Sequence, residues 1–350
     1  MNIYDISQKT GVSTATVSRV INGSSNVSEK TREKVLAVIE ESGYTPNVFA
    51  RGLGLNTMKT IGLMCADSSD PYLARAVYYV EENLRKNNYD VILSCTGYDH
   101  SVKERQMKLL LSKRVDAVVL VGSNYVEKND SLNKYIIKAA KNVPVMMING
   151  SINAPNIYSI LCDDHSAVFE VTDRMIASGR KDPLYIYNSN SYSGMRKLNG
   201  FKDALKLNDI PCGDRNFIFI DSRKGGRDVF SVNAVKKAVS DHAAKYGKFD
   251  CAVASDDILA IGALKYAKEA GMSVPADFSA AGYNNFEITE CCDPELTSVD
   301  NRLDVLCENC VSSLLTLFSE HDASIPKKTV FSCEIIERGT TNYIKKGNEV

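Results

Sequence analysis

The chain has 350 residues, 44% of them hydrophobic and 24% charged, and its 42 Lys and Arg against 43 Asp and Glu give a formal net charge of −1. This composition suits a folded chain with more than one core, and the near-zero balance argues against a membrane surface or a bulk polyanion as partner. No run reaches the roughly 18 apolar residues a membrane helix needs, and the opening MNIYDIS lacks a charged-then-apolar leader, so a reducing cytoplasm with ten free thiols is expected.

The first predicted elements are three short helices. Asn2 suits a helix cap, with Asp5 in the first turn, Ile3 and Ile6 on one face, and Gly11 at a left-handed exit. Ser13 then caps Thr14–Asn22, where Val17, Val20 and Ile21 recur at helical spacing, and Gly23 ends the run. Ser28 starts a third helix with Glu29 at its positive end, a stripe of Val35, Val38 and Ile39, and a stop at Gly43. Three such helices around a thin core follow the plan of a helix-turn-helix module, although an ordinary helical subdomain shares the amphipathic pattern. Residues 1–58 hold six Lys and Arg against five Asp and Glu, so charge leaves no basic footprint, and Glu40 and Glu41 are expected to face away from a polyanion.

The segments TGVSTATVSRVING, VSEKTREKV and SGYTPNVFARGL resemble the N-terminal signature of the LacI/GalR family of transcription regulators. The resemblance implies a second helix in the DNA major groove. Thr14 and Ala15 fall on the family's operator-dependent positions, Arg19 on a base-reading arginine, and Ser13, Thr16, Ser18 and Asn22 on backbone-contact or turn positions. It also implies that Pro46–Leu55 is a hinge helix that folds beside its dimer mate in the minor groove, with Ala50 and Arg51 at the DNA and Leu53 as a wedge. Physical chemistry allows a conditional helix here: Gly52 and Gly54 each cost about 1 kcal/mol relative to alanine, and so short a segment is mostly unfolded alone. A linker with an incidental leucine is the plainer alternative.

From Thr60 the pattern changes. TIGLMCAD, DVILSC, DAVVLVG and VPVMMIN read as strands buried on both faces, with helical stretches at Leu73–Lys86, Val102–Ser112 and Leu132–Lys141 between them. PLYIYN, NFIFID, FDCAVAS and FSAAGYN repeat the alternation, and Val115-Asp116-Ala117 is echoed by Phe249-Asp250-Cys251. Parallel βαβ units in two similar lobes follow, because the remaining ~290 residues are too many for one small core. The predicted organisation is a small all-α helix-turn-helix domain (1–44), a hinge or linker (45–59), and an α/β core of two parallel-sheet lobes, 60–161 with 291–325 and 162–290 with 326–340, followed by a tail (341–350).

Loops at the carboxyl ends of parallel strands are where such folds bind ligands. Here they carry Asp67–Tyr72, Asn149, Asn188–Ser193, Ser255–Asp257 and Tyr283–Asn285, a set suited to a polyhydroxylated or heterocyclic molecule. VASDDILAIGALKYAKEAGMSVPADFSAAGYNNFEI and PELTSVD are similar to the same family's effector domain, which shares the periplasmic-binding-protein fold. Tyr72, Asn149, Asp256 and Asn284 then match effector-contact positions, with Asp257 beside them. Lys197 occupies the slot of the family's effector-binding arginine, and Arg196 stands one place earlier. Either cation suits a hydroxyl, a carboxylate or a phosphate, so an acidic or phosphorylated sugar stays open beside a neutral one.

An enzyme reading finds no support. The four histidines, at positions 100, 165, 242 and 321, have no metal-ligand spacing, no nucleotide-binding glycine loop occurs, and no cofactor or metal is expected. Cys65, Cys95, Cys251 and Cys333 fall in expected buried strands. Cys307 and Cys310 fall in an apolar helical run that suggests packing, while a redox role for them or for Cys291-Cys292 stays open. The resemblance therefore implies a homodimeric repressor on a near-palindromic operator, controlled by a carbohydrate-like effector. A solute-binding protein of a transporter is the alternative, disfavoured by the N-terminal module and the missing leader.

Overall fold

A computed structural model describes residues 1–44, 57–221, 231–319 and 325–342. The expected hinge helix Pro46–Leu55, including Ala50, Arg51 and Leu53, lies outside the described residues.

The N-terminal helices are α1 (Ile3–Thr10), α2 (Thr14–Ile21) and α3 (Glu29–Ser42). Asn2 and Asp5 form a reciprocal capping box, Ser13 accepts from the Thr16 N–H, and Gly11 and Gly43 close α1 and α3 in the left-handed region. Four side chains, Ile6, Val17, Val20 and Val35, make the fully buried core, with Ile3, Val38 and Ile39 packed around them. Thr10 is buried as well and spends its hydroxyl on the Ile6 carbonyl at 2.7 Å.

The first lobe runs β1 (Thr60–Cys65), α4 (Pro71–Lys86), β2 (Asp90–Cys95), α5 (His100–Ser112), β3 (Ala117–Val121), α6 (Lys134–Ala139), β4 (Val145–Ile148) and β5 (Ile157–Cys162). The second runs α7 (Asp164–Ala177), β6 (Pro183–Tyr187), α8 (Tyr192–Leu207), β7 (Phe217–Phe219), α9 (Val232–Tyr246), β8 (Cys251–Ala254), α10 (Asp257–Glu269), β9 (Ser279–Tyr283) and β10 (Thr297–Asp300). The chain then crosses to α11 (Leu303–Ser319) and β11 (Lys328–Phe331), and back to β12 (Glu334–Ile336). Strand orders are β11-β5-β4-β3-β1-β2 and β12-β10-β9-β8-β6-β7. Pairing is parallel except between β10 and β12, which run antiparallel.

Each sheet is covered on both faces, which is why its central strands read as unbroken apolar runs. In the first lobe Val80, Leu84, Leu306 and Leu314 of α4 and α11 cover one face, and Met107, Leu110 and Ile136 of α5 and α6 cover the other. The paired motifs seen in the sequence occupy equivalent places. Asp116, before β3, accepts from Thr57 Oγ1 and the Met58 and Thr60 N–H groups ahead of β1, and Asp250, before β8, accepts from the Lys181 and Asp182 N–H groups ahead of β6.

The lobe boundaries expected from sequence need correction. Thr297–Val299 pairs with Ala281–Tyr283, so β10 belongs to the second lobe and the crossing falls near residue 301 rather than 291. Lys328–Phe331 pairs with Ser159–Cys162, so it belongs to the first lobe and the last crossing moves from 325 to about 332.

Candidate nucleic-acid interface and ligand cleft

Helix α2 buries Val17 and Val20 and turns Ala15, Arg19 and Asn22 outward, at i, i+4 and i+7 along one exposed stripe. Thr14, Thr16 and Ser18 flank it, partly exposed. Ser13 Oγ lies 2.9 Å from Thr16 Oγ1, and Asn22 Nδ2 donates to Ser18 Oγ at 3.4 Å, so these polar groups are held only by local bonds. No acidic residue occupies the first turn of α2, which leaves its positive end uncompensated. Glu40 and Glu41 are exposed near the end of α3.

In the body, matching strand orders put the switch point of each lobe at the same place, between β1 and β3 and between β6 and β8. The loops there, with those after β4 and β9, enclose a cavity of about 120 Å³ that continues into an outer one of about 520 Å³. The first lobe contributes Asp70, Tyr72, Ser123 and Asn149, and the second contributes Ser191, Lys197, Ser255, Asp256 and Asn284. Across the gap Ser123 Oγ donates to Ser191 Oγ at 2.7 Å, and Arg75 bonds Glu287 at 2.8 Å.

Local folding sets each group. Asp70 caps α4, accepting from the Leu73 N–H at 3.0 Å, and Pro71 suits the turn it opens. Asn149 sits at φ +58, a conformation asparagine tolerates better than most residues; its Nδ2 donates to Tyr72 Oη and its Oδ1 accepts from the Cys162 N–H at 3.3 Å. Asp256 caps α10, taking the Ile258 N–H at 2.8 Å, and its other oxygen accepts from Asn284 Nδ2 at 3.4 Å. Burial pushes the Asp256 carboxyl up to about 6 and also raises Asp70. Lys197, 8% exposed, donates to the Ser255 carbonyl at 3.2 Å and lies 3.3 Å from the Tyr283 ring centroid. Ser255 lines the same cavity, and its Oγ is buried and makes no hydrogen bond among the described residues. Such a hydroxyl costs about 1–3 kcal/mol until something polar meets it.

Tyr72, Asn149, Lys197, Asp256 and Asn284 thus converge on one cavity, whereas two expected contacts do not. Arg196 is one helical step from Lys197 and points aside to Asp163, 2.8 Å away. Asp257 is fully buried beneath the site, taking Ser298 Oγ at 2.6 Å and the Phe286 N–H at 2.9 Å, and burial raises its carboxyl to about 7. Its work is to tie the loop after β9 to α10. Asp70 and Ser255, from the expected ligand loops, line the cavity too, as do Ser123 and Asn301, which the sequence did not point out. The Asp-Pro pair was a legible capping signal for Asp70; Asn301 follows β10, whose polar sequence TSVD leaves no apolar run.

Cys65 and Cys251 are buried as expected, but Cys95 is exposed and Cys333 only partly buried, each lying on or beside an edge strand. Cys307 and Cys310 pack within α11 against the first-lobe core. Among the described residues no group of His, Cys, Asp and Glu is arranged to hold a metal, and no helix is long and apolar enough to cross a membrane.

Known proteins share both halves. The pattern described as "Bacterial regulatory proteins, lacI family" matches residues 2–47, and "Periplasmic binding proteins and sugar binding domain of LacI family" matches residues 58–334. The chain belongs to the LacI family of bacterial transcriptional regulators. Family members are regulators and not enzymes. An HTH-type transcriptional regulator of Lachnoclostridium phytofermentans is 52% identical, covering 98% of this chain and all of the relative. Catabolite control protein A of Staphylococcus xylosus is 30% identical over 97% of this chain and 99% of its own length. Among solved structures, the lac repressor dimer bound to operator and the anti-inducer ONPF superposes with a TM-score of 0.85 at 24% identity, covering 97% of this chain and 99% of that one. A complex of the regulator CelR with cellobiose gives 0.69 at 23% identity over the same shares.

Proposed function

We propose that this LacI-family regulator represses transcription as a homodimer on a near-palindromic operator, and that a neutral, hydroxyl-rich small molecule in the interlobe cleft controls its DNA affinity. Arg19 and Asn22, with Thr14 and Ala15, are the reading residues in this scheme; Ser13, Thr16 and Ser18 hold register on phosphates. Two-fold symmetry of the protein then sets half-site spacing. Exposed Tyr78, Leu93 and Leu109, on the consecutive elements α4, β2 and α5, support a self-association surface on the first lobe.

The observation that carries the effector class is the charge inventory of the cavity. Two carboxylates, Asp70 and Asp256, line it with one cation, Lys197, already held by the Ser255 carbonyl and the Tyr283 ring. A phosphate or carboxylate ligand would meet two like charges, whereas sugar hydroxyls donate to Asp256 and Asp70 and accept from Lys197, Asn149 and the Ser255 hydroxyl. That favours the neutral option over the acidic sugar. The cellobiose complex of CelR is a relative with a ligand of this class. Because Ser123 and Ser191 already touch across the gap, a ligand that binds one lobe spacing better than another shifts the populations of both and so changes the separation of the two readers. Operator selection from random duplex DNA, followed by thermal-shift screening of neutral, acidic and phosphorylated sugars, tests this reading. Enrichment of a palindrome and stabilisation by neutral sugars are expected; stabilisation by acidic sugars alone contradicts the effector class.

A further inference from the structure

Two thiols lie side by side where the chain passes between lobes. Cys162 ends β5 at the first crossing, and Cys333 sits between β11 and β12 at the last. β11 pairs with β5 so that Phe331 lies opposite Cys162, and the Asp163 N–H donates to the Phe331 carbonyl at 2.8 Å, which makes the crossings neighbours. A shared polar pair links the two sulfurs. Tyr283 Oη donates to Asp164 Oδ1 at 2.6 Å; Cys162 Sγ is 3.7 Å from that same oxygen, and Cys333 Sγ is 3.5 Å from the tyrosine oxygen. Cys162 is buried and Cys333 partly exposed, the arrangement of a resolving thiol behind an attacked one.

We propose that Cys162 and Cys333 are a reversible disulfide site, oxidised by a hydroperoxide, that staples two lobe crossings together beneath the ligand cleft. The Cys333 thiolate attacks the peroxide, the O–O bond breaks, and the leaving oxygen takes a proton to become an alcohol, or water from hydrogen peroxide, leaving a sulfenic acid on Cys333. The Cys162 sulfur then attacks that sulfur; the S–S bond forms and the hydroxyl leaves with the Cys162 proton as water. Two thiols lose two electrons and one hydroperoxide gains them. A hydrogen bond from Cys162 holds the Cys333 thiol below its ordinary range, and the nearby Lys197 ammonium acts in the same direction, favouring Cys333 as the attacking thiolate.

The position gives the bond a consequence. Cys162 Sγ is 3.2 Å from Asn149 Oδ1, so a bond to Cys333 alters the contact made to the residue that holds Tyr72 in the cleft. By contrast, Cys65 and Cys95, whose sulfurs are 3.8 Å apart, stand opposite each other in strands already paired, so a bond there constrains nothing new.

The full chain, freed of reductant, is given hydrogen peroxide at neutral pH, then alkylated, digested and mapped by mass spectrometry. The expected result is a peptide pair joined through Cys162 and Cys333, released by dithiothreitol, and, in Cys162→Ser, a dimedone adduct on Cys333. Both thiols still alkylated while other cysteines oxidise, or a bond formed only in denaturant, overturns the proposal. The wild-type mapping decides it even where the variant fails to fold, and it does not depend on what the cleft binds.

Discussion

On helix α2 the outward residues Ala15, Arg19 and Asn22 are positioned by the helix alone, over a core of four buried side chains. In the cleft, Asn149, Asp256 and Asn284 are each fixed by hydrogen bonds from neighbouring elements, and the sheets beneath them are covered on both faces. The contrast teaches where each surface gets its selectivity. The reader is a thin layer of helices over a small core, while the cleft is organised before any ligand arrives.

The sharpest way to break the comparison is Val17→Asp. A charge in a four-residue core has no neighbour to redistribute it, so the first 44 residues should lose their helical signal and operator binding should vanish, with the melting of the body unchanged. Circular dichroism and fluorescence anisotropy read both; a body that melts earlier would mean the two regions fold as one unit. Next in size is Arg19→Ala, expected to cost about 1–3 kcal/mol, roughly five- to 150-fold in operator affinity, with relaxed preference at one base position. Uniform weakening across all sequences would instead make Arg19 a phosphate contact. On the cleft side, Lys197→Met should weaken the effector about tenfold or more without changing affinity for a selected operator in the ligand's absence.

Proton linkage gives a smaller test. Asp256 and Asp257 are pushed from 3.8 to about 6 and about 7, chiefly by burial, so the folded chain holds these protons more tightly than the unfolded one. Their contribution to stability is therefore fullest at acid pH and is lost as pH rises through those values. Asp257→Asn should flatten the decline in melting temperature between about pH 4 and pH 7; a variant with the wild-type slope would assign that slope to other groups. The least effect is expected from Ser255→Ala, which removes a buried hydroxyl that makes no hydrogen bond among the described residues: the unliganded protein gains about 1 kcal/mol and effector affinity falls.

Much of this was legible in the sequence for a physical reason. Strands buried on both faces leave apolar runs, so β1, β3, β4, β6, β8 and β9 could be read directly; the edge strands β2 and β7 also carry apolar runs but are only partly buried, and helix caps such as Ser13 and Asn2 marked the start of the reader. β5 escaped because it follows β4 without an intervening helix, which breaks the alternation that signals a βαβ unit. β10, β11 and β12 escaped because polar residues break or flank their short runs (TSVD, KTVF, EII), leaving no continuous apolar signal, and with them went the true lobe crossings. Neighbouring positions were also beyond reach: sequence spacing could not tell that Lys197 enters the cavity while Arg196 turns to Asp163, or that Asp257 lies under the site that Asp256 lines.

Everything rests on one cleft governing one reader. Anisotropy titration of a selected operator by wild-type protein and by Asp256→Asn, with and without a saturating neutral sugar found by thermal shift, tests this most directly. Wild-type affinity should change about tenfold or more on adding the sugar while the variant responds weakly. A sugar that binds the cleft and leaves operator affinity untouched would contradict the account.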